Sequence, residues 1–316
     1  MASVQALEYP NLVHVVLDNA STDATPDIIR SFEGHRVPLL TARNSVAIGM
    51  AANWNAAVTM VPSAAAYFRL LCADDTMRPD AIMQQVTVAE RNPQVGLVGS
   101  LWRAEGLRGH SSGEQLPKER EVFDGRWVLR GYLRREHFAL SSMHVLIRRS
   151  ELQDNRPFYD ASLASFDSEA NLRICSHASF GFVHQELSSW RIHDESVTSR
   201  IASKAFTHDI CWLDLLDRYG PEVLGFRDYM MCRRAYRLHL LRRLLKECAH
   251  RRNKEVLMAS LRQLRDRGDP AGSLDFAKAI AEWTALAISC RRHLVGLPRK
   301  QATCRSDSST EVPYGF

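Results

Sequence analysis

The stretch Leu70-Leu71-Cys72-Ala73-Asp74-Asp75-Thr76-Met77-Arg78-Pro79-Asp80 constrains this chain more than any other. The run from Tyr67 to Cys72, apolar apart from Arg69, predicts a buried strand. It ends on two adjacent carboxylates, and Pro79 is well placed to open a helix. In open α/β sheets, ligands gather beyond the carboxyl ends of strands. Two acidic groups placed there are costly unless something cationic joins them. A divalent metal carrying a phosphate group is a common solution. The same residues also suit an acidic turn followed by a helix N-cap, because aspartate favours both places.

The surrounding pattern alternates strand and helix up to about Gly99. Apolar runs predict strands at Leu12 to Leu17, Val37 to Leu40, Tyr67 to Cys72 and Val95 to Gly99. Helices are predicted from Thr25 to Phe32, Ile48 to Val61 and Asp80 to Arg91. Such alternation implies a parallel sheet with right-handed crossovers. From Trp102 to Arg120 the composition turns polar and glycine-rich, which predicts a long loop suited to a lid or an acceptor-binding segment. A strand at Met143 to Ile147, a helix at Ser168 to Cys175, and short strands at Phe180 to Val183 and Leu187 to Ile192 follow. Helical periodicity then dominates: Ile210 to Leu216, Tyr229 to Cys248, Glu255 to Leu264 and Phe276 to Ala287. The boundary between the two characters falls near Arg200. The reading is therefore a first domain over 1–199, a helical region over 200–297 and a polar tail over 298–316 with a disordered composition.

Bulk properties narrow the class. With 316 residues, 45% of them hydrophobic, the chain can bury a sizeable core. No apolar stretch is long enough to cross a bilayer, and the start has no signal-peptide pattern. The net charge of +5 suits an anionic substrate. Seven cysteines are scattered without a CxxC pair, which predicts reduced thiols in a cytosolic protein and neither a disulfide frame nor a zinc site. In the helical region, Arg233-Arg234, Arg242-Arg243 and His250-Arg251-Arg252 would meet an anionic membrane peripherally or form a solvated helix face. Leu240, Leu241, Leu244 and Leu245 make a core-facing stripe that favours the solvated face. Aromatic residues are too sparse among the basic ones for nucleic-acid binding.

Further acidic and cationic residues line up with element ends. Asp18 follows the Leu12 to Leu17 strand and opens the turn-rich Asp18-Asn19-Ala20-Ser21-Thr22-Asp23. Asp167 sits just before the helix Ser168 to Cys175, and Arg191-Ile192-His193 closes the last short strand. Taken in order, these segments resemble the family 2 glycosyltransferases over roughly residues 4 to 199. Tyr9-Pro10-Asn11-Leu12 through Asp23 is similar to that family's YPN…VVDDGSTD segment. Asn44, Gly49, Ala52, Asn53 and Ala56 are similar to its N…G…AxNxA helix. Cys72-Ala73-Asp74-Asp75…Pro79 is similar to its DxDD…P metal motif, Asp167 through Arg173 to its ED…LR segment, and Arg191-Ile192-His193 to its RxH.

The resemblance implies a GT-A-type, Rossmann-like α/β sandwich with a mostly parallel central sheet, followed by a C-terminal all-helical region. It implies an inverting enzyme that moves a sugar from a nucleotide-sugar donor, uridine diphosphate-linked, to a glycan, lipid-carrier or small-molecule acceptor. Mg²⁺ or Mn²⁺ would be the cofactor, with Asp75 as direct ligand and Asp74 against the ribose or the metal's waters. Asp167 would be the general base and Glu169 its alternative. Arg191 would pair with the diphosphate, His193 would ligate metal or phosphate, and Asp18 would contact the nucleotide base. Asn53 would either contact ligand or tie a loop by hydrogen bonds. The alternatives, less favoured by the context, are a turn cap for Asp18 and a helix N-cap for Asp167.

The chain departs from the family pattern at its beginning. Met1 falls inside what would be the first helix, so the first strand and the loop cradling the base are missing. A start upstream of Met1, a degraded copy, or another segment filling the gap would each account for this. Asn19 and Ala20 change the DDGS turn, Cys72 replaces an acid of the longer DxDD form, and Phe166 replaces a glutamate. The alternative function is an inactive relic acting as a nucleotide-binding or partner protein.

Overall fold

The computed structural model describes residues 1–105, 116–137, 140, 144–152, 156–191, 206–251, 254–281 and 284. They fall into two compact units, Met1–Ile192 and His193–Phe316. Arg200, His193, Met143 and the tail over 298–316 lie outside the described residues.

Two long strands, β5 (Val95–Glu105) and β8 (Ser179–Arg191), form the centre of the first unit. They run parallel, from Val95 opposite Ser179 to Glu105 opposite Arg191. Val95, Leu97, Val98, Phe180 and Phe182 are almost fully buried, as a near-continuous apolar run covered on both faces requires. Around this pair lie β3 (Tyr67–Phe68), β4 (Thr76–Met77), β6 (Val122–Phe123) and β7 (Leu146–Arg148). The six strands run in the order β3-β7-β5-β8-β4, with β6 also on β8. A separate parallel pair joins β1 (His14–Asp18) to β2 (Leu39–Arg43).

The α/β architecture is as expected, but the strand directions are mixed. Among the described residues, only β1-β2 and β5-β8 are parallel; β3-β7, β4-β8, β5-β7 and β6-β8 are antiparallel. The short peripheral strands can join without the crossover helix that a parallel neighbour demands. The strand expected from Tyr67 to Cys72 stops at Phe68. Its ladder to Arg148 and Ile147 ends there. Among the described residues, the outer edges of β1 and β3 carry no strand. The polar segment after Trp102 is not loop from its outset, because β5 continues to Glu105 against Ser188–Arg191. The two short strands expected between Phe180 and Ile192 are one strand, β8.

Helices cover this framework. Helix α4 (Ala81–Arg91) buries Ala81, Ile82, Gln85, Val86, Val88 and Ala89, the stripe of an amphipathic helix lying on a sheet. A single turn, α1 (Ala2–Gln5), ties the small sheet to the large one. Gln5 exchanges two hydrogen bonds with the Val37 backbone, and Glu8 N donates to Pro79 O at 2.8 Å. Helices α2 (Thr25–Ser31) and α3 (Met50–Thr59) follow the strands of the small sheet. Helix α5 (Gly125–Leu133) meets the end of α6 (Phe166–Cys175) at Gly125. A Cβ at Gly125 would lie 1.9 Å from Ala178 O and 2.4 Å from Cys175 O.

The second unit contains α7 (Thr207–Leu224), α8 (Phe226–Arg251) and α9 (Lys254–Asp266), with further helix over 273–281. Leu240, Leu241 and Leu244 are fully buried, as the apolar stripe requires. Several arginines of this region point inward as cross-links. Arg233 pairs with Asp217 and Asp269, Arg237 with Asp269 and Asp275, and Arg267 with Asp214, Asp217 and Asp269. Arg243 pairs with Asp209. Among the described residues, no helix is long and apolar enough to cross a membrane.

Replacing Gly125 by alanine should lower the free energy of unfolding by roughly 2–3 kcal/mol, since backbone atoms rather than a movable side chain occupy the space. Denaturant unfolding checks this; an unchanged midpoint would mean that α5 and α6 are not held at this contact.

Candidate active site

The acidic turn is built by three local events. Leu70–Cys72 leave the sheet, Asp75 N donates to Cys72 O at 3.1 Å, and the chain re-enters the sheet as β4 beside Ser188 and Ser189. Asp75 is thereby pushed under the end of β8, where Arg191 N donates to Asp75 Oδ1 at 3.2 Å. Asp75 is only 4% exposed, and its Oδ2 is buried with no hydrogen-bond partner. Burial is the main cause that pushes its carboxyl up to about 6. The Arg191 amide and the Arg69 charge oppose the rise, while Asp74 and Glu105 add to it. One ligand atom from each of Cys72, Asp74 and Asp75 lies within 4.8 Å of the others. Burial, followed by the charges of Asp75, Asp74 and Asp167, pushes the Cys72 thiol well up.

Beneath the turn lies a buried polar network that the sequence reading missed. Arg69 donates to Gln85 Oε1 at 2.6 Å and to Ser188 Oγ at 2.7 Å. Gln85 Nε2 donates to Val98 O and His144 O. His144 Nδ1 lies 3.1 Å from Ser188 Oγ, and its ring stacks on Trp102. Burial lowers the Arg69 pKa to about 10, with Asp75 acting against the fall. The clue in the sequence was Arg69 itself, the lone charge in an apolar run.

Helix α6 brings the second acidic group. Ser165 takes the N-cap position, so Asp167 sits inside the first turn and not before it, as the sequence reading expected. Asp167 is near enough to Cys72 and Tyr159 for its charge to raise the pKa of both. The acidic turn and the start of α6 therefore share one region. Glu169 is 2% exposed and pairs with Arg173 at 2.6 Å, while Arg173 also donates to Phe158 O. This ion pair makes Glu169 part of the wall. Tyr159 is fixed by Asn55, which accepts from its N–H and donates to its carbonyl. Trp54 packs edge-on against Tyr159 and Phe166, with ring centres 5.4 Å and 5.2 Å away.

Asp18 ends β1 and is also buried. Its Oδ1 accepts from Ser21 N at 3.0 Å, its Oδ2 lies 3.3 Å from Arg43 Nη1, and hydrogen bonding from Ser21 holds its carboxyl below the usual range. The turn places Ala20 at φ 59°, a left-handed conformation that favours glycine. Asn53 does tie a loop: its Oδ1 accepts from Asn44, which also donates to Asn19. Helix α3 thus connects the Asp18 turn, through Asn53, to the Asp167 region, through Trp54 and Asn55. Asp18 itself contacts its own turn and Arg43. The Arg191 side chain is exposed, and what touches Asp75 is its backbone.

A buried carboxylate with an unpartnered oxygen, two further donors beside it and a third acid nearby is the arrangement that the sequence motifs lead to. The sequence model of glycosyl transferase family 2 matches residues 1–159. The chain belongs to glycosyl transferase family 2. Two solved structures share the fold of this family 2 chain at a TM-score of 0.54 each. One is S. aureus TarS 1–349, at 15% identity over 92% of this chain and 86% of that one. The other is a mannosyltransferase from Pyrobaculum calidifontis in complex with GDP-Man and Mn²⁺, at 17% identity over 91% and 75%. No curated protein matches.

In the metal-free chain, Asp75 has a folded pKa raised to about 6. Its contribution to stability is therefore full below the unfolded pKa and is lost as pH rises through 6. Asp75→Asn removes that loss. Relative to the parent, the variant should gain roughly 1–3 kcal/mol between pH 4 and pH 7. Chemical denaturation in chelator at both pH values checks this; a pH-independent difference would contradict it.

Proposed function

We propose that this chain is an inverting glycosyltransferase that moves a sugar from a nucleoside diphosphate donor, uridine-linked, to an acceptor hydroxyl with the help of Mg²⁺ or Mn²⁺. Family membership and fold support sugar transfer in general. The observation that carries the finer reading is the buried, unpartnered Asp75 Oδ2 with Cys72 and Asp74 donors beside it. Such an oxygen is costly to bury unless a cation meets it, so the residues present fit a divalent ion. Asp75 and Asp74 would hold it, and when bound it supplies Lewis-acid stabilisation of the charge that develops on the leaving diphosphate.

The remaining roles belong to the chain's own groups. Asp167, in the same region as the acidic turn and outside the Glu169–Arg173 pair, takes the proton from the acceptor hydroxyl as it attacks the anomeric carbon. Arg191, exposed at the end of β8, presents a guanidinium to the diphosphate. Asp18, buried and held ionised by Ser21, accepts from an imino proton of the base. The bound GDP-Man and Mn²⁺ of the mannosyltransferase support the class of donor and the metal. The acceptor is a glycan, a lipid carrier or a small molecule, and the scattered cysteines support a cytoplasmic setting, with peripheral membrane contact where the acceptor is lipid-linked.

Release of the nucleoside diphosphate from UDP- and GDP-sugars, with Mn²⁺ and with chelator, tests the reading. Asp167→Asn should lower kcat by roughly 10²–10⁴-fold while donor affinity stays within about threefold. Glu169→Gln with the larger effect would move the base to that residue. Metal-independent turnover, or no loss in Asp167→Asn, would contradict the assignment of roles. Nucleotide binding without turnover would favour a non-catalytic protein, a reading that the separation of the β1-β2 pair from the larger sheet supports.

A further inference from the structure

We propose that Cys72 is a metal ligand that tunes this site toward thiophilic dications: Zn²⁺ and Cd²⁺ above all, and Mn²⁺ ahead of Mg²⁺. The inference rests on the metal-assisted reading of the same turn. Two observations carry it. The Cys72 sulfur lies within 4.8 Å of a carboxylate oxygen of both Asp74 and Asp75. Asp75 Oδ2, 4% exposed as a residue, has no hydrogen-bond partner, so the cluster contains a buried acceptor in need of a cation.

Geometry and ligand chemistry then fix the consequence. A tetrahedral ion with a sulfur at about 2.3 Å and an oxygen at about 2.1 Å holds those atoms about 3.6 Å apart. Starting within 4.8 Å of one another, the sulfur and oxygen therefore need to close by about 1.2 Å at most, which a short turn permits. Carboxylates alone suit Mg²⁺, Ca²⁺ and Mn²⁺, whereas sulfur selects softer ions. On coordination, a metal–sulfur bond forms, the S–H bond breaks, and the proton leaves to solvent; no electrons change hands. Asp74 and Asp75 offset the ion's charge, and the backbone bond from Asp75 N to Cys72 O closes the turn that carries all three side chains. The other described cysteines, Cys175, Cys211, Cys232 and Cys248, are not in this cluster.

The test is titration of the full chain, in the absence of nucleotide, with Cd²⁺ and separately with Mg²⁺, by calorimetry and near-ultraviolet absorption. The parent should bind Cd²⁺ with a sulfur-to-metal charge-transfer band. Cys72→Ser should remove that band and weaken Cd²⁺ binding by roughly tenfold or more while Mg²⁺ affinity changes less than about threefold. Cys72→Ala, which introduces no new oxygen, should behave in the same way. An unchanged band and Cd²⁺ affinity in both variants would overturn the inference. Asp75→Asn separates the two levels: loss of both Mg²⁺ and Cd²⁺ binding upholds the metal site, and no change in either overturns the metal-assisted reading together with this one.

Discussion

A carboxylate that folding has removed from water governs this structure. Asp75 is driven under the end of β8 by the turn that follows Cys72, where it receives one backbone hydrogen bond and keeps one oxygen unpartnered. Leaving a buried charge half satisfied is unfavourable. Arg69 supplies a compensating charge from below without reaching the carboxylate as a direct ion pair. Its own hydrogen bonds go to Gln85 and Ser188. Arg69 Nε is itself buried with no hydrogen-bond partner, so both the turn and the network beside it hold polar atoms that folding leaves unmatched.

The rest of the first unit places groups around that turn. The close approach at Gly125 sets the end of α6, and the Glu169–Arg173 pair sets its wall. Together they present Asp167 from the first turn of the helix. Helix α3 uses three consecutive side chains for separate ends: Asn53 toward the Asp18 turn, Trp54 against Phe166, and Asn55 on the Tyr159 backbone. Rigid elements, and not the turn alone, therefore fix the separations on which transfer depends.

Much of this was legible in the sequence where one residue type had one reason to be present. Asp18 ends its strand as the spacing implied, whereas the Asp74-Asp75 pair lies in a turn six residues past the end of β3, just before β4, and Asp167 lies inside the first turn of its helix. What was not legible depended on partners far along the chain. Tyr67 to Cys72 reads as a strand, but a ladder needs a neighbour, and Arg148 and Ile147 offer one only to Tyr67 and Phe68. Trp102 to Glu105 reads as loop because it is polar, yet Ser188 to Arg191 supply a full set of backbone partners. The arginines of the helical unit read as a solvated face, whereas Arg233, Arg237 and Arg267 are matched to aspartates that sequence order does not reveal. Ala20, replacing a glycine of the family pattern, keeps the left-handed turn that the pattern demands.

The most direct test of the account is crystallographic. Crystals soaked in Mn²⁺ with a nucleoside diphosphate should show an anomalous scattering peak bounded by Asp75, Asp74 and the Cys72 sulfur, with phosphate oxygens completing the shell. A well-occupied nucleotide bound with no metal peak at that turn, or with the metal held by other residues, would contradict the claim that Asp75 is buried to meet a cation.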